Sequence, residues 1–399
     1  MVEWKPLNKI VKSISTGLNP RQNFILNEED ASLYYVTVKE ITTNKVIFSD
    51  STDRITENAK QIINNRSKLS KGDILFSGIG TIGKVAYVDI PTSNWDCSES
   101  VFLIKPNELE TKGKYLAYIL SSDIAKNQYE RGAAGAIMKG VRKATLESLL
   151  IPIPSFEEQA RIVRILDTFT SAIDNLKEQI TQRRKQYEYY RDQLLDLEGN
   201  PGVKIQTLGE LGTFFGGLTG KSKDDFVEGN AKFVTYMNVF ANPALDISMT
   251  GIVRIAEEEK QNKIQKGDIL FTGSSETPEE AGMSCVVTKD LEGDYYLNSF
   301  CFGIRLNQPD QYNLNYLKHI LRSYSIRKEI AKSASGVTRF NISKARFGKI
   351  KLPISSLQDQ QRIVSILDTF EASIQNLEAQ LKEREKQYEY YRNKLLTFE

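Results

Sequence analysis

Apolar residues recur at alternating spacings of four and three along two stretches of the chain. The first runs Ile162, Leu166, Phe169, Ile173, Leu176, Ile180, passes through Arg183, and continues as Tyr187, Tyr190, Leu194 and Leu197. The second runs Ile363, Leu367, Phe370, Ile374, Leu377, Leu381, Arg384, Tyr388, Tyr391, Leu395 and Phe398. Such alternation keeps one stripe turned toward a partner along a supercoiled helix, so each stretch predicts a helix with a seam of about five heptads. At 1.5 Å per residue each is about 65 Å long, too long to be one element of a compact core. A serine followed three residues later by Glu or Gln marks the helix starts: Ser155 with Glu158, and Ser355 with Gln358. That pattern meets the free N–H groups of a first turn.

The two stretches are copies. At an offset of 201 residues the segment 151–198 falls on 352–399, and from Phe156 and Leu357 onward 24 of 43 positions are identical. Upstream the segments beginning at Tyr115 and Tyr316 keep that offset in pattern only, and before them the match thins to "VTVKEI" with "VTYMNV" and a repeated "KGDILF" at Lys71 and Lys266. The chain therefore divides into a variable head (1–150), a constant helical spacer (151–200), a second head (201–351) and a second spacer (352–399). A lone heptad helix needs a partner, and its own repeat is available. Antiparallel pairing is favoured, because parallel pairing would require the second head to carry the chain back along the whole helix. The alternative is an intermolecular coil in a homodimer.

Within the first head, "KGDILFSGIGTIGK" contains G-x-G-x-x-G at Gly78, Gly80 and Gly83. A dinucleotide site needs a helix opening at those glycines, whereas the chain continues with the strand-like "KVAYVDIP". The second copy replaces the glycine run with "TGSSETPEE", so this is a strand-turn-strand unit whose turn varies between copies. The acidic second turn is a poor phosphate contact and is expected to face solvent or the coil.

Composition narrows the chemistry. The 399 residues are 40% hydrophobic and 26% charged, with a net charge of +2. No apolar run is long enough to span a bilayer and the start lacks a signal peptide's apolar centre, which places the chain in the cytoplasm as an expectation. Cys97, Cys285 and Cys301 form no C-x-x-C pair, and with His319 as the single histidine no metal site or His-based triad is expected. "GLTGKS" (217–222) has Phe215 where a P-loop needs glycine.

Two different heads on a fixed spacing suit two different half-sites on duplex DNA, whose strands are related by a local two-fold axis. Between Ile326 and Lys351 there are eight Lys or Arg and one acid, Glu329; the equivalent stretch holds Arg131, Lys139, Arg142 and Lys143 near Gly132 and Gly135. Basic residues in Gly/Ser/Thr loops contact phosphates and base edges. The candidate DNA contacts are Arg21, Lys84, Lys139, Arg142 and Lys143 in the first head, and Lys221, Thr338, Arg339, Asn341 and Lys344 in the second.

The two-copy plan, "KGDIL" in each half, "AAGAIMKGVRKATLESLLIPIPSFEEQARIVRILD" (133–167) and "SASGVTRFNISKARFGKIKLPISSLQDQQRIVSILD" (333–368) resemble the specificity subunit of Type I restriction-modification systems over the whole length. The resemblance implies an α+β chain of two tandem target-recognition domains of mixed β-sheet with helices, separated by two long helices paired as an antiparallel coiled coil with pseudo-two-fold symmetry. It implies a non-catalytic reader of a bipartite DNA target. Two modification subunits would bind S-adenosylmethionine and methylate adenine, and restriction subunits would use ATP and Mg. No N-P-P-[YFW] or D-P-P-[YFW] tetrad is present, as expected if methylation belongs to other chains. By the same resemblance Tyr187, Tyr189, Tyr190 and Arg191, with Tyr388, Tyr390, Tyr391 and Arg392, would each dock a modification subunit. A coiled-coil scaffold without DNA specificity is the competing reading, and it leaves the basic glycine loops unexplained.

Overall fold

The computed structural model describes residues 2–21, 23–42, 44–132 and 140–398. Contacts gather these into two units, residues 1–177 with 379–399, and residues 178–378. Each unit is thus a head together with part of both long helices, a different grouping from a division into heads and separate spacers.

The heads share one plan. In the first, an antiparallel four-stranded sheet runs in the order Val11–Thr16, Val101–Pro106, Ile74–Ser77, Val85–Tyr87. In the second the order is Gly212–Gly216, Cys301–Leu306, Ile269–Thr272, Ser284–Val286. The repeated "KGDILF" supplies an inner strand of each sheet, and its apolar residues are buried on both faces. Its first residues are explained by the turn that feeds it. Gly72 and Gly267 adopt φ of +95° and +91°, a region that suits glycine. Asp73 and Asp268 accept backbone N–H groups from Ser70 (2.8 Å) and Gln265 (2.9 Å), and pair with Lys105 (2.7 Å) and Arg305 (2.8 Å) on the neighbouring strand.

Beside each sheet lies a smaller mixed one. Leu33–Val36 pairs antiparallel with Arg54–Ile55 and parallel with Trp95–Cys97; Ala231–Val234 does the same with Thr250–Val253 and Tyr295–Leu297. The entry and exit strands of each head pair with each other, Glu3–Pro6 with Leu150–Ile153 and Lys204–Thr207 with Lys351–Ile354. That pairing delivers the chain directly into a long helix.

The helices span Phe156–Leu195 and Leu357–Leu396, 40 residues each. Ser155 caps the first, its hydroxyl accepting from the Glu158 N–H at 3.2 Å. The second is capped by Ser356 with Asp359 (3.2 Å), which corrects the expected Ser355 and Gln358. Ser356 is the residue 201 positions after Ser155, while Ser355 is buried in the extended approach. Within the first unit the pairs Phe169 with Tyr391 and Lys177 with Glu385 run in opposite directions along the two helices. Within the second, Tyr190 with Phe370 and Arg184 with Glu378 do the same. The predicted antiparallel pairing is therefore present in each unit.

The seam also anchors the heads. Ile162, Leu166 and Ile173 enter the first head's core with Leu7, Phe76 and Tyr115, joined by Tyr388 and Leu396. Ile363 and Leu367 enter the second with Phe271, Tyr316 and Phe347, joined by Leu195. Buried Gln159 and Gln360 lock the joints. Gln159 accepts from the Lys112 N–H (2.9 Å) and donates to the Pro154 carbonyl (3.0 Å); Gln360 accepts from the Asn313 N–H and donates to the Ser355 carbonyl, both at 2.8 Å. No described helix is long and apolar enough to cross a membrane.

Candidate nucleic-acid interface

The turn containing G-x-G-x-x-G is a hairpin, with Ile74 to Phe76 paired to Tyr87 to Val85. Gly80 and Gly83 hold φ of +80° and +83°, and a Cβ on Gly78 would lie 2.4 Å from the Phe102 ring. The glycines thus serve a tight turn and close packing, and no helix opens there to hold a phosphate.

In both heads this turn meets the glycine loop that precedes the long helix. In the first, the Gly78 carbonyl accepts from the Val141 N–H at 2.8 Å and Ile79 bridges Gly140. In the second, the Gly273 carbonyl accepts from the Ile342 N–H at 2.9 Å, and Ser274 and Ser275 pair with Asn341 and Phe340. "TGSSETPEE" therefore joins the basic loop through Ser274 and Ser275, while Glu276, Glu279 and Glu280 face solvent as the sequence reading expects. Two segments far apart in the chain form one edge because a strand hydrogen-bonds each to the other.

The second head displays this edge in full. Strands Ala334–Ser335 and Phe340–Ile342 form a hairpin carrying Val337, Thr338 and Arg339 at its tip and Asn341 on its return strand. Val337 is 91% exposed, and Thr338, Arg339 and Asn341 are exposed as well. Arg339 is held from behind: its Nε donates to the buried Ser274 hydroxyl at 2.9 Å, and its guanidinium lies 5.7 Å from the centre of the exposed Phe300 ring. Lys344 is exposed one turn later, with its ammonium over the Phe302 ring at 5.6 Å. Arg327 belongs to the same basic stretch but faces inward, its guanidinium donating to the Glu279, Ala281 and Gly282 carbonyls at 2.7 Å each. Burial pushes this guanidinium down to about 10. It fastens the acidic loop in place.

The first head places its candidates less compactly. Arg142 and Lys143 are exposed at the start of the short helix Lys143–Glu147, where Lys143 reaches Glu147 at 3.6 Å. Lys139 lies outside the described residues. Arg21 is exposed on a separate loop. Lys84 donates its ammonium to the Val38 carbonyl at 2.9 Å, and Lys221 in the second head pairs with Glu259 and donates to the Arg254 carbonyl at 2.6 Å. Both ammonium groups thus have partners within the chain. A cavity of about 830 Å³ is bordered by Lys328, Lys332, Arg346, Lys349 and Lys351 together with Asp196, Glu198 and Glu329, so its lining is of mixed charge.

The tyrosine clusters divide by role. Tyr388 is buried in the first head's joint, and the Tyr187 hydroxyl bonds His319 Nδ1 at 2.9 Å in the second. Arg191 and Arg392 lie over the Tyr187 and Tyr388 rings. Tyr190 and Tyr391 stack on Phe370 and Phe169 and remain partly exposed. Tyr189 and Tyr390 are 61% and 60% exposed, each in a T-shaped contact with the adjacent tyrosine, and the Lys394 ammonium lies 5.7 Å from the Tyr390 ring centre.

Sequence reasoning missed the cluster around His319. His319 Nε2 meets Asp368 at 2.9 Å, and Lys318 bonds Asp368 (3.1 Å) and Glu371 (2.6 Å). His319, Asp368 and Glu371 bring possible ligand atoms within 4.8 Å, but the Lys318 ammonium already supplies the cation between the carboxylates. Burial lowers the His319 imidazole. Burial acts to raise the Asp368 carboxyl, and donation from His319 and Lys318 outweighs it to leave the group low. The first head builds the same joint with Tyr118, whose hydroxyl donates to Asp167 at 2.6 Å.

The Type I restriction modification DNA specificity domain matches residues 1–183 and again 200–385. The chain belongs to this family. It is 26% identical to the EcoR124I/EcoR124II specificity subunit of Escherichia coli across 100% of this chain and 94% of the relative. It is 29% identical to a putative Type I specificity subunit of Haemophilus influenzae across 66% of this chain and 68% of that protein. Among solved structures, one described as the structural basis underlying complex assembly and conformational transition of the type I R-M system superposes with a TM-score of 0.63 at 17% identity, covering 99% of this chain and 96% of that one. A Type-I restriction-modification S subunit from M. genitalium gives 0.52 at 18%, covering 100% and 97%. The α+β fold with two repeated specificity domains and two long helices is that of the family. Members are specificity subunits, which have no active site of their own.

Proposed function

We propose that the chain reads a bipartite, asymmetric DNA target, one half-site per head, and positions modification and restriction subunits on it. The observation that carries this reading is the composite edge: in both heads the same backbone pairing joins the turn to the segment before the long helix, while the sequences of the two loops differ. A constant frame with variable contents is what two readers of different sequences require. On the first head Arg142, Lys143 and Arg21 would contact DNA; on the second Thr338, Arg339, Asn341 and Lys344 would do so. Lys84 and Lys221 would act by holding loops, given their partners within the chain.

Tyr189 and Tyr390, equivalent under the repeat, would dock two identical modification subunits, with Tyr190 and Tyr391 beside them. S-adenosylmethionine would then be bound by those subunits, and ATP and Mg by restriction subunits. The test is DNA affinity of the assembled complex against salt. A steep fall is expected, since phosphate contacts release counterions, and Arg142→Ala should make the slope shallower by about one unit. A scaffold would show no slope, with the variant indistinguishable from the parent.

A further inference from the structure

The acid on the basic edge calls for an explanation. A cavity of about 380 Å³ in the second head is lined by Tyr236, Phe240, Ser274, Glu276, Thr338 and Arg339, among others. Its walls are fixed. Ser274 and Ser275 are in a strand pair with the hairpin, the Tyr236 hydroxyl donates to the Ser274 carbonyl at 2.8 Å, and Arg327 holds the loop carbonyls from below. The Glu280 carboxylate accepts from the Ser275 hydroxyl at 3.1 Å. Glu276 is exposed, and among the described residues no hydrogen bond or ion pair engages it.

A carboxylate turned toward DNA is repelled by phosphates, so an unpaired one on a DNA-facing edge is compensated only by a donor on a base. In the major groove cytosine presents its N4 amino group, the usual partner of Glu or Asp, while guanine presents the O6 and N7 acceptors that an arginine fork matches. Arg339 has its Nε committed to Ser274, and among the described residues no hydrogen bond engages its terminal NH2 groups. One cavity is therefore lined both by the Arg339 guanidinium and by two carboxylates, of which Glu280 is engaged by the Ser275 hydroxyl and Glu276 is not.

We propose that Glu276 and Arg339 together read a single guanine–cytosine pair in the half-site of the second head, Arg339 donating to guanine and Glu276 accepting from cytosine. This rests on the DNA-reading function proposed above and assigns it a base pair and a residue that sequence reasoning set aside.

The test begins with the motif methylated in a host carrying this chain and its modification subunit. The half-site that persists when residues 1–150 are exchanged for another head belongs to the second head. Duplexes bearing each of the four base pairs at every position of that half-site are then bound by complexes carrying the parent chain, Glu276→Gln or Arg339→Ala. Expected is one guanine–cytosine position at which both variants lose discrimination by on the order of tenfold, with the first half-site still read in full as the control for folding. Should Glu276→Gln fail to assemble, Glu276→Asp keeps the acceptor and should retain the cytosine preference at that position; its loss overturns the proposal. A half-site without a guanine–cytosine pair, or variants that relax different positions or none, also overturns it. A parent complex without any sequence preference would instead refute the DNA-reading function itself.

Discussion

At the scale of single residues, the two heads solve one joint with different chemistry. Tyr118 and His319 occupy equivalent positions and both reach the aspartate of the constant helix, Asp167 or Asp368. The difference has a pH consequence. Asp368, Glu371, Lys318 and Tyr187 all face His319, and burial lowers its imidazole below the ordinary value near 6.5. The folded state then binds fewer protons than the unfolded chain once the pH drops below about 6.5, so stability falls as the pH falls through that window. The low Asp368 carboxyl acts only at more acidic pH, below the ordinary carboxylate value. His319→Tyr should preserve the contact to Asp368, as Tyr118 does to Asp167, and flatten the loss of Tm between pH 7 and 5. An equal slope in parent and variant would assign the pH dependence to other groups.

At the scale of elements, the long helices were legible because a 4-3 spacing repeats the same message in every turn, and local signals add up. The capping serine of the second helix is ambiguous in the sequence because two serines stand in a row and only packing selects Ser356. The composite edge was not legible at all. Glu276 and Arg339 are distant in sequence, and their meeting depends on strand pairing between Ser274 and Asn341, which no local pattern encodes. The constancy of the helices also has a structural reason: Gln159 with Asp167, and Gln360 with Asp368, fix each head to its helix, so partner docking is not needed to explain those residues. Tyr189 and Tyr390 have no such structural reason, since they pack no core, and the proposed docking would account for them. Tyr189→Ala with Tyr390→Ala should leave Tm within about 1 °C, since surface substitutions shift stability by only a few tenths of a kcal/mol. The same pair should weaken capture of the modification subunit at least tenfold, as loss of exposed aromatic anchors does. Unchanged capture would move the docking surface elsewhere.

At the scale of the whole molecule, the repeat carries the functional logic. The heads keep the same sheet order and the same joint while their sequences diverge, so the fold is constrained and the exposed edge is free to vary. The two-copy plan was readable from the constant helices; the common fold of the heads was not, because strand order depends on contacts between distant segments. The most direct measurement is the methylome of a host carrying this chain and its modification subunit, taken before and after residues 1–150 are exchanged for the head of another specificity subunit. The expected result is a split motif with methyladenine in each half, of which one half changes on exchange and the other persists. A motif that is indifferent to the exchange, or independent of this chain, would contradict the two-headed reader.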